Sequence, residues 1–208
     1  MIELLTADTP NGKKISIMLE EIKFKYKVTK INIYKNEQFK PAFRKLSPFS
    51  KIPVIIDYDN NKSLFESGAI LMYLGEKSGK FYKKNNRTII NQWLMGQMAY
   101  VGPMLGQHHQ FHHYNPGKSE FGEKRYFKIS RQIYKDLDER LSVSKFLAGN
   151  IYSIADIATF PWIARHEWHD IGLKNFINLN RWYNEISKRK AVQKGYDLLK
   201  KGEAIPKA

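Results

Sequence analysis

Residues 9–12, with the sequence TPNG, are the first whose types and spacing suggest chemistry, and they precede an apolar helical repeat. Threonine is a favoured N-cap and proline is favoured at the first helical position, so the segment predicts a well-capped helix start. A helix N-terminus also presents unpaired N–H groups and a positive partial charge, which stabilise an anion such as a thiolate. The side chains of Thr9 and Asn11 add donors to such a site, so both interpretations, a structural cap and a thiolate site, stay open.

The chain itself offers no thiol, because none of its 208 residues is cysteine. Disulfide scaffolds, thiolate metal sites, cysteine nucleophiles and CxxC redox chemistry are therefore excluded. Any thiolate held at the TPNG segment must come from a ligand.

A second segment, residues 47–54 (SPFSKIPV), places Pro53 directly before a β-branched strand. Proline donates no hydrogen bond to a sheet, which makes this position unusual for it. A cis Ile52–Pro53 bond resolves the conflict, because the turn then directs the backbone of Ile52 outward, where an extended peptide could pair with it. Lys51 could face a ligand carboxylate, and a solvated lysine is the simpler alternative.

A third segment, residues 65–70 (FESGAI), carries Glu66 and Ser67 at the start of another apolar repeat. Ser67 is predicted as the N-cap of that helix. Glu66 could also accept from an ammonium group, and the Ser67 hydroxyl with the helix start could hold a carboxylate. Together these groups suit the head of an α-amino acid, although capping alone also explains them.

The elements that must position these segments alternate between strand and helix over residues 1–80. Short β-branched runs predict strands and apolar residues at helical spacing predict helices, in the order β-α-β-α-β-β-α. The predicted strands cover residues 2–6, 26–33, 54–56 and 63–65, and the predicted helices cover 10–22, 39–46 and 67–78. Gly79 is expected to end the last of these helices.

Beyond a polar connector at residues 81–87, every periodic segment is helical. The predicted helices cover residues 89–112 with a kink at Pro103, 120–141, 153–168, 179–188 and 191–200. The sequence therefore predicts an α/β domain at residues 1–80 followed by an all-helical domain at residues 88–208.

Two features of the helical half invite different interpretations. Ser153 and Asp156 form a variant of the capping box, which is a structural motif. Residues 108–113 (HHQFHH) suggest a metal site, but no carboxylate or cysteine accompanies them. The helix-breaking residues 115–117 put this segment at a helix C-terminus, where protonated histidine is favoured, so we predict no metal site.

The formal net charge of +15 is compatible with polyanion binding or with a lysine-rich surface. The longest lysine runs are only pairs, so we do not expect functional nucleic-acid binding; the excess charge would attract a small acidic ligand. The N-terminus lacks a basic leader with an apolar stretch, and no run of about 20 apolar residues occurs. We therefore expect a soluble cytoplasmic protein with no membrane partner.

In combination the motifs resemble those of the cytosolic glutathione transferases, in particular the bacterial Nu-class disulfide-bond oxidoreductases. The resemblance covers nearly the whole chain and rests on residues 9–12, 38–39, 47–48, 51–53, 64–70 and 102–107. It implies the glutathione transferase fold, in which a thioredoxin-like domain is followed by a helical bundle. It also implies a homodimer with sites near the interface.

The family pattern implies roles toward glutathione for the second and third segments. Glu66 and Ser67 would hold the γ-glutamyl head group. The backbone of Ile52, presented by Pro53, would pair with the cysteinyl residue.

The resemblance implies further roles for residues outside those pairs. Lys51 and Gln38 would lie near the glycyl carboxylate, while Thr9 and Asn11 would face the sulfur. Arg131 is the candidate for a basic residue that the helical domain places near the ligand carboxylates.

The resemblance also bears on three further parts of the chain. Gln132 is an alternative to its neighbour Arg131. The histidine-containing residues 108–113 would border the mouth of the site. Phe49 stands where relatives commonly have Asn or Gly, which changes the rim.

A chain without cysteine cannot form a mixed disulfide with its substrate, so the attacking thiolate must come from a ligand. The resemblance implies that bound glutathione supplies it. The resemblance implies reduction of small-molecule disulfides by reduced glutathione, with two glutathiones or the disulfide form bound per site. It also allows peroxidase or weak transferase activity.

Two alternatives to disulfide reduction remain. Conjugation of electrophiles requires an apolar second pocket, for which the candidates are Met104, Leu105, Phe111 and Trp162. A non-catalytic binding module is suggested by the net charge alone.

Overall fold

The computed structural model describes all 208 residues, which form two compact units. The first unit comprises Met1–Tyr82 and Arg189–Ile205, and the second comprises Lys83–Lys188 and Pro206–Ala208. The last helix thus groups with the α/β unit, whereas the sequence placed it in the helical domain. The reason is that this helix packs on the first helix of the chain.

The first unit contains a four-stranded sheet with the order β2-β1-β3-β4. Its elements are β1 Ile2–Thr6, α1 Pro10–Ile22, β2 Tyr26–Lys30, α2 Pro41–Arg44, β3 Val54–Asp57, β4 Lys62–Phe65, α3 Ser67–Ser78 and, from the end of the chain, α9 Lys190–Asp197. β1 pairs with β2 in parallel and with β3 antiparallel, and β3 pairs with β4 antiparallel. The predicted thioredoxin-like order is confirmed.

The core of the first unit lies around α1, which packs against α3, α9 and β1. The predicted apolar face of α1 is buried, and so are both of its lysines, Lys13 and Lys14. The close approach of α9 depends on Gly195, because a Cβ there would lie 2.5 Å from the Cα of Ile17. Both faces of α1 are therefore enclosed, which a one-sided apolar repeat does not predict.

The second unit is entirely helical. Its α-helices are α4 Arg87–Gly96, α5 Gly102–His108, α6 Glu120–Ser142, α7 Ile154–Ile163 and α8 Ile177–Ser187. The long helix predicted over residues 89–112 is interrupted by π-helical turns at Gln97–Val101 and His109–Tyr114. The first turn comes directly before Gly102 and Pro103, where proline removes a helical hydrogen bond. None of the helices is both long enough and apolar enough to cross a membrane.

The capping box at the start of α7 is confirmed. The Ser153 hydroxyl accepts from the backbone of Ala155, and the Asp156 carboxylate accepts from the backbone of Ser153 at 3.0 Å. Asp156 is fully buried and also accepts from the Leu147 backbone and the Trp182 indole, each at 2.9 Å. Its carboxylate therefore joins three separate parts of the helical unit.

Candidate active site

The register of the sheet brings the three predicted segments to one end of the first unit. Leu5, near the end of β1, pairs with Val54, and Val54 in turn pairs with Phe65, the last residue of β4. The loop before α1, the turn before β3 and the start of α3 consequently leave the sheet side by side. Residues far apart in sequence thus share one surface with two helix N-termini, a favourable place for an anion.

The first helix begins as predicted. Thr9 is the N-cap with an extended backbone, and its Oγ1 accepts from the Gly12 N–H at 3.0 Å, with Pro10 at the first helical position. A Cβ on Gly12 would lie 2.3 Å from the carbonyl oxygen of Ala7, so only glycine fits beneath the loop. The tight turn fixes the Thr9 hydroxyl at the start of α1, with Asn11 in the first turn.

The second segment contains the predicted cis Ile52–Pro53 bond. Ser47 holds the loop before it, because its Oγ donates to the Lys51 carbonyl at 2.8 Å and accepts from the Lys51 N–H at 3.1 Å. The strand ladder begins at Val54, so Ile52 lies just before the paired residues. The Lys51 side chain is exposed.

The start of α3 differs from the prediction at one residue. Ser67 is not the N-cap, because it already has helical geometry as the first residue of α3, and Glu66 occupies the cap position. Glu66 has φ 67°, a conformation that costs a non-glycine residue on the order of 1–3 kcal/mol. The hydroxyl of buried Ser67 meets a side chain of α1, described below. The Glu66 carboxylate is exposed.

Gln38 lies in a 3-10 turn, Glu37–Phe39, between β2 and α2. Its Nε2 donates to the Ile33 carbonyl at 3.3 Å, and its Oε1 is buried without a hydrogen-bond partner. Only a remaining N–H of this amide suits a carboxylate ligand. The residues around this segment pack into the apolar cluster at the same end of the sheet, which includes Leu5, Ile31, Phe43, Leu46, Ile52, Val54 and Phe65.

The rim of this end carries one conspicuous aromatic side chain. Phe49 is 69% exposed, and its ring makes an edge contact with Phe65 at 6.2 Å between centroids. Phe49, which stands where relatives commonly have Asn or Gly, therefore adds apolar surface to the rim of the site.

Lys14 lies beside the predicted site residue Ser67, and the sequence analysis did not single it out. Its side chain is 1% exposed, and its Nζ lies 3.3 Å from the Ser67 Oγ. Burial lowers the pKa of the ammonium to about 7, and the nearby Glu66 carboxylate acts in the opposite direction. One signal was available: Lys14 lies three and four residues before Ile17 and Met18, hence on an apolar helical face.

Arg131 lies in the second unit, exposed on α6. The Nε2 of its neighbour Gln132 donates to Asp136 at 2.7 Å, which engages that amide on the same helix. A role for Arg131 or Gln132 toward a ligand remains a prediction.

All six histidines of the chain lie in the second unit, and several of their rings stack. His109 stacks on His169 at 4.6 Å, and the Nε2 of His108 lies 3.0 Å from the His169 carbonyl oxygen. Burial lowers the pKa of His109 to about 3 and also lowers the pKa of His108. The expectation of protonated histidines at this helix end is wrong for these two, because desolvation outweighs the helix dipole.

The histidine rings meet by their faces, and no three His, Asp or Glu side chains are grouped so that they could hold a metal ion.

Three of the side chains expected to line a second apolar pocket have packing roles in the same unit. Leu105 and Trp162 are buried, and Phe111 stacks on Tyr126 at 5.3 Å.

Comparisons with known proteins agree over most of the chain. The family model of the glutathione S-transferase N-terminal domain matches residues 3–76, and that of the C-terminal domain matches residues 101–190. The chain is 42% identical over 207 residues to the disulfide-bond oxidoreductase YfcG of Escherichia coli strain K12, covering 96% of this chain and 95% of that protein.

Two solved structures are similar over nearly the full length. A glutathione transferase from Burkholderia graminis, with two glutathione molecules bound per subunit, has a TM-score of 0.89 and 37% identity, covering 97% of this chain and 89% of that chain. A glutathione transferase from Pseudomonas putida, with one glutathione disulfide bound per subunit, has a TM-score of 0.86 and 37% identity, covering 97% and 92%.

Proposed function

Since the chain belongs to the glutathione S-transferase family, we propose that it is a glutathione-dependent disulfide-bond reductase. One observation carries the proposal: the Leu5–Val54–Phe65 register gathers two helix N-termini at one end of a sheet, in a chain that has no thiol of its own. The name of the Escherichia coli relative and the glutathione disulfide in the Pseudomonas putida structure support the same reaction.

Reduction would proceed as two thiol–disulfide exchanges. The thiolate of one glutathione attacks a sulfur of the substrate disulfide, forms a mixed disulfide and releases the first substrate thiolate. A second glutathione thiolate attacks the glutathione sulfur of the mixed disulfide, which forms glutathione disulfide and releases the second substrate thiolate. Two electrons pass to the substrate, and each released thiolate takes up a proton.

Thr9 and Asn11 would stabilise the attacking thiolate at the start of α1. The Thr9 Oγ1 already accepts from Gly12, so its own O–H is the group that we assign as donor to the sulfur. The positive end of α1 favours the same anion. Each unit by which the thiol pKa falls corresponds to about 1.4 kcal/mol of thiolate stabilisation.

The γ-glutamyl head would bind between Glu66 and Ser67. The exposed Glu66 carboxylate would accept from the ammonium, and the Ser67 hydroxyl with the start of α3 would bind the α-carboxylate. Ile52, which precedes the paired part of β3, would offer its backbone to the cysteinyl residue.

The glycyl carboxylate would be bound by more peripheral groups. We assign Lys51 and the second N–H of the Gln38 amide to it, because one is an exposed cation and the other lies in the turn beside the apolar cluster. Arg131 of the helical unit stays a candidate for the same carboxylates.

The test compares glutathione-dependent reduction of 2-hydroxyethyl disulfide with conjugation of 1-chloro-2,4-dinitrobenzene, in the wild type, Thr9→Ala and Thr9→Ser. We expect disulfide turnover to exceed conjugation. Thr9→Ala should lower kcat/KM for the disulfide roughly 10- to 100-fold, the value of one charge-assisted hydrogen bond of about 1.5–3 kcal/mol. Thr9→Ser keeps the hydroxyl and should retain most of the activity.

The other outcomes distinguish the alternatives. Dominant conjugation would contradict the reductase proposal and favour a conjugating transferase. Glutathione binding with neither reaction would favour a binding module. An equal loss of kcat/KM in Thr9→Ala and Thr9→Ser would show that the Thr9 hydroxyl takes no part in the mechanism.

We also propose that the protein is a homodimer. Light scattering on the purified protein should give twice the chain mass of 24.4 kDa, and a single-chain mass would contradict this.

A further inference from the structure

We infer that Glu203 is a positioning residue for the loop between β1 and α1: through the buried ammonium of Lys13 it fixes Asp8, the residue directly before Thr9. The inference rests on the proposed function, since it concerns the loop whose hydroxyl we assign to the glutathione sulfur. It adds to that site a group from the segment after α9, which lies 190 residues from Lys13 in the sequence.

Lys13 holds the loop at two successive residues. Its backbone N–H donates to the Thr9 carbonyl at 2.9 Å, and its Nζ lies 3.0 Å from the Asp8 Oδ1. That carboxylate oxygen is buried and accepts no hydrogen bond of normal geometry, so the ammonium is the group that offsets its charge. The place of the Lys13 ammonium therefore determines where Asp8, and with it the start of the helix, lies.

The other partners of this ammonium come from α9 and the segment that follows it. The Lys13 Nζ donates to the Tyr196 carbonyl at 2.8 Å and lies 3.9 Å from the centroid of the Tyr196 ring. It also forms an ion pair with Glu203. The Lys13 side chain is fully buried, and a buried ammonium is costly unless it is paired. Glu203 thus supplies one of the two carboxylates that keep the charge in place.

The segment that carries Glu203 also packs on the first turn of α1. Leu199 is buried, and a Cβ on Gly12 would lie 3.2 Å from the Leu199 Cδ1. The backbone of Gly202 donates to Asp197, which turns the chain back after α9. The segment therefore contacts this turn through an apolar side chain as well as through the ion pair, and Glu203 is the charged part of that contact.

Removal of the Glu203 charge should affect the reaction more than the binding of glutathione. Glu203→Gln keeps the size of the side chain and one carbonyl oxygen, but it leaves Asp8 as the only carboxylate beside the ammonium. The Asp8 position then shifts, and with it the Thr9 hydroxyl. The proposed contacts to the γ-glutamyl head lie at the start of α3 and do not involve this loop. A misplaced hydroxyl lowers the rate of attack, because reaction depends steeply on alignment.

The experiment measures steady-state reduction of 2-hydroxyethyl disulfide by glutathione in the wild type and Glu203→Gln. We expect kcat to fall roughly 3- to 10-fold, while the KM for glutathione changes by less than about twofold. The matched control is Glu21→Gln, which removes the same charge from another ion pair between α1 and α9, that of Glu21 with Arg189. Glu21 lies eight residues beyond Lys13, about 12 Å along the helix, so kcat should stay within about twofold of the wild type.

A double-mutant cycle tests whether Glu203 acts through the loop. If it positions the Thr9 hydroxyl, Glu203→Gln has little left to disturb once that hydroxyl is gone. In the Thr9→Ala background, Glu203→Gln should therefore lower kcat by less than about twofold. A general loss of stability would instead lower kcat by the same factor in both backgrounds.

An unchanged kcat in Glu203→Gln, an equal fall in Glu21→Gln, or an equal factor in both Thr9 backgrounds would overturn the inference and leave the reductase proposal standing. Thr9→Ala as active as the wild type would overturn the assignment of the Thr9 hydroxyl and the inference together. No disulfide reduction by the wild type would overturn the proposed function itself. The three failures are thus distinguishable.

Discussion

At the scale of single residues, Asp156 satisfies several buried donors at once. Its carboxylate accepts from the backbone of Leu147 and Ser153, the Ser153 hydroxyl and the Trp182 indole. Removing a buried acceptor leaves its donors without a hydrogen bond, and each donor that stays buried in this way costs about 1–3 kcal/mol. Asp156 should therefore contribute more to the free energy of unfolding than its capping position alone indicates.

We expect Asp156→Ala to lower the free energy of unfolding by about 2–4 kcal/mol, because the Leu147 N–H and the Trp182 indole lose their acceptor as well as the cap. The matched control is Ser153→Ala, which removes the hydroxyl of the same box and should cost about 1 kcal/mol. Urea unfolding measures both. Similar costs for the two variants would mean that the two distant donors contribute nothing.

What the sequence predicts at this scale depends on how local the interaction is. Thr9 and Ser153 cap helices that begin within three residues of them, and both were predicted correctly. Ser67 was assigned as a cap wrongly, because the chain turns at Glu66 and Ser67 is already the first helical residue. The hydroxyl of Ser67 instead meets Lys14, 53 residues away. Contacts of that separation follow from tertiary packing, which a motif does not encode.

At the scale of elements, α9 on α1 is the packing that the sequence did not predict. The helix itself was expected near residues 191–200, but its partner lies at the opposite end of the chain. The Ser16 hydroxyl donates to the Gly195 carbonyl at 2.6 Å, and Lys13 donates to the Tyr196 carbonyl at 2.8 Å. Polar residues on α1 thus have their partners on α9.

Replacing Gly195 by alanine should destabilise the protein by about 1–3 kcal/mol, because the new Cβ would lie 2.5 Å from Ile17 backbone and force the helices apart. Gly96→Ala is the control. No atom lies within 4 Å of a Cβ at this exposed helical position, so that variant should gain about 0.5–1 kcal/mol. The readout is the midpoint of urea unfolding; two variants that shift it in the same direction would argue against this contact.

At the scale of the whole molecule, buried neutral histidines make stability depend on pH. Burial lowers the pKa of His108, His109, His166 and His169. Because the folded pKa lies below the ordinary value of about 6.5, the unfolded chain binds the proton first as the pH falls. Stability should therefore decrease below about pH 6.5.

For His109, with a folded pKa of about 3, the loss between pH 7.5 and pH 5.5 should be about 1.4 kcal/mol. His109→Phe keeps a ring at the stacked position and removes the titrating group. The wild type should thus lose about 1.4 kcal/mol more than His109→Phe over this interval, measured by urea unfolding at both pH values. Equal losses of unfolding free energy in the wild type and His109→Phe would show that His109 is not responsible for the pH dependence.

The general architecture was predictable because each half has a distinct periodicity, which gave the order of strands and helices along the chain. The order of the strands within the sheet, β2-β1-β3-β4, was not predicted. The π-helical turns around α5 were not, since the apolar repeat over residues 89–112 continues through them. Buried charge was also missed: the repeat marks Lys13 and Lys14 as helical but not as enclosed. Enclosure depends on distant elements, because Lys13 contacts Tyr196 on α9 and Lys14 contacts Ser67 on α3.

The grouping of α9 with the first unit has a consequence for biosynthesis. The ribosome makes Met1–Tyr82 first, yet Arg189–Ile205, which completes that unit, emerges only after Lys83–Lys188 has been translated. At about 5–20 residues per second the interval is roughly 5–20 s. During that time the surface of α1 that receives Gly195 is uncovered on the nascent chain, and a chain that terminates early never covers it.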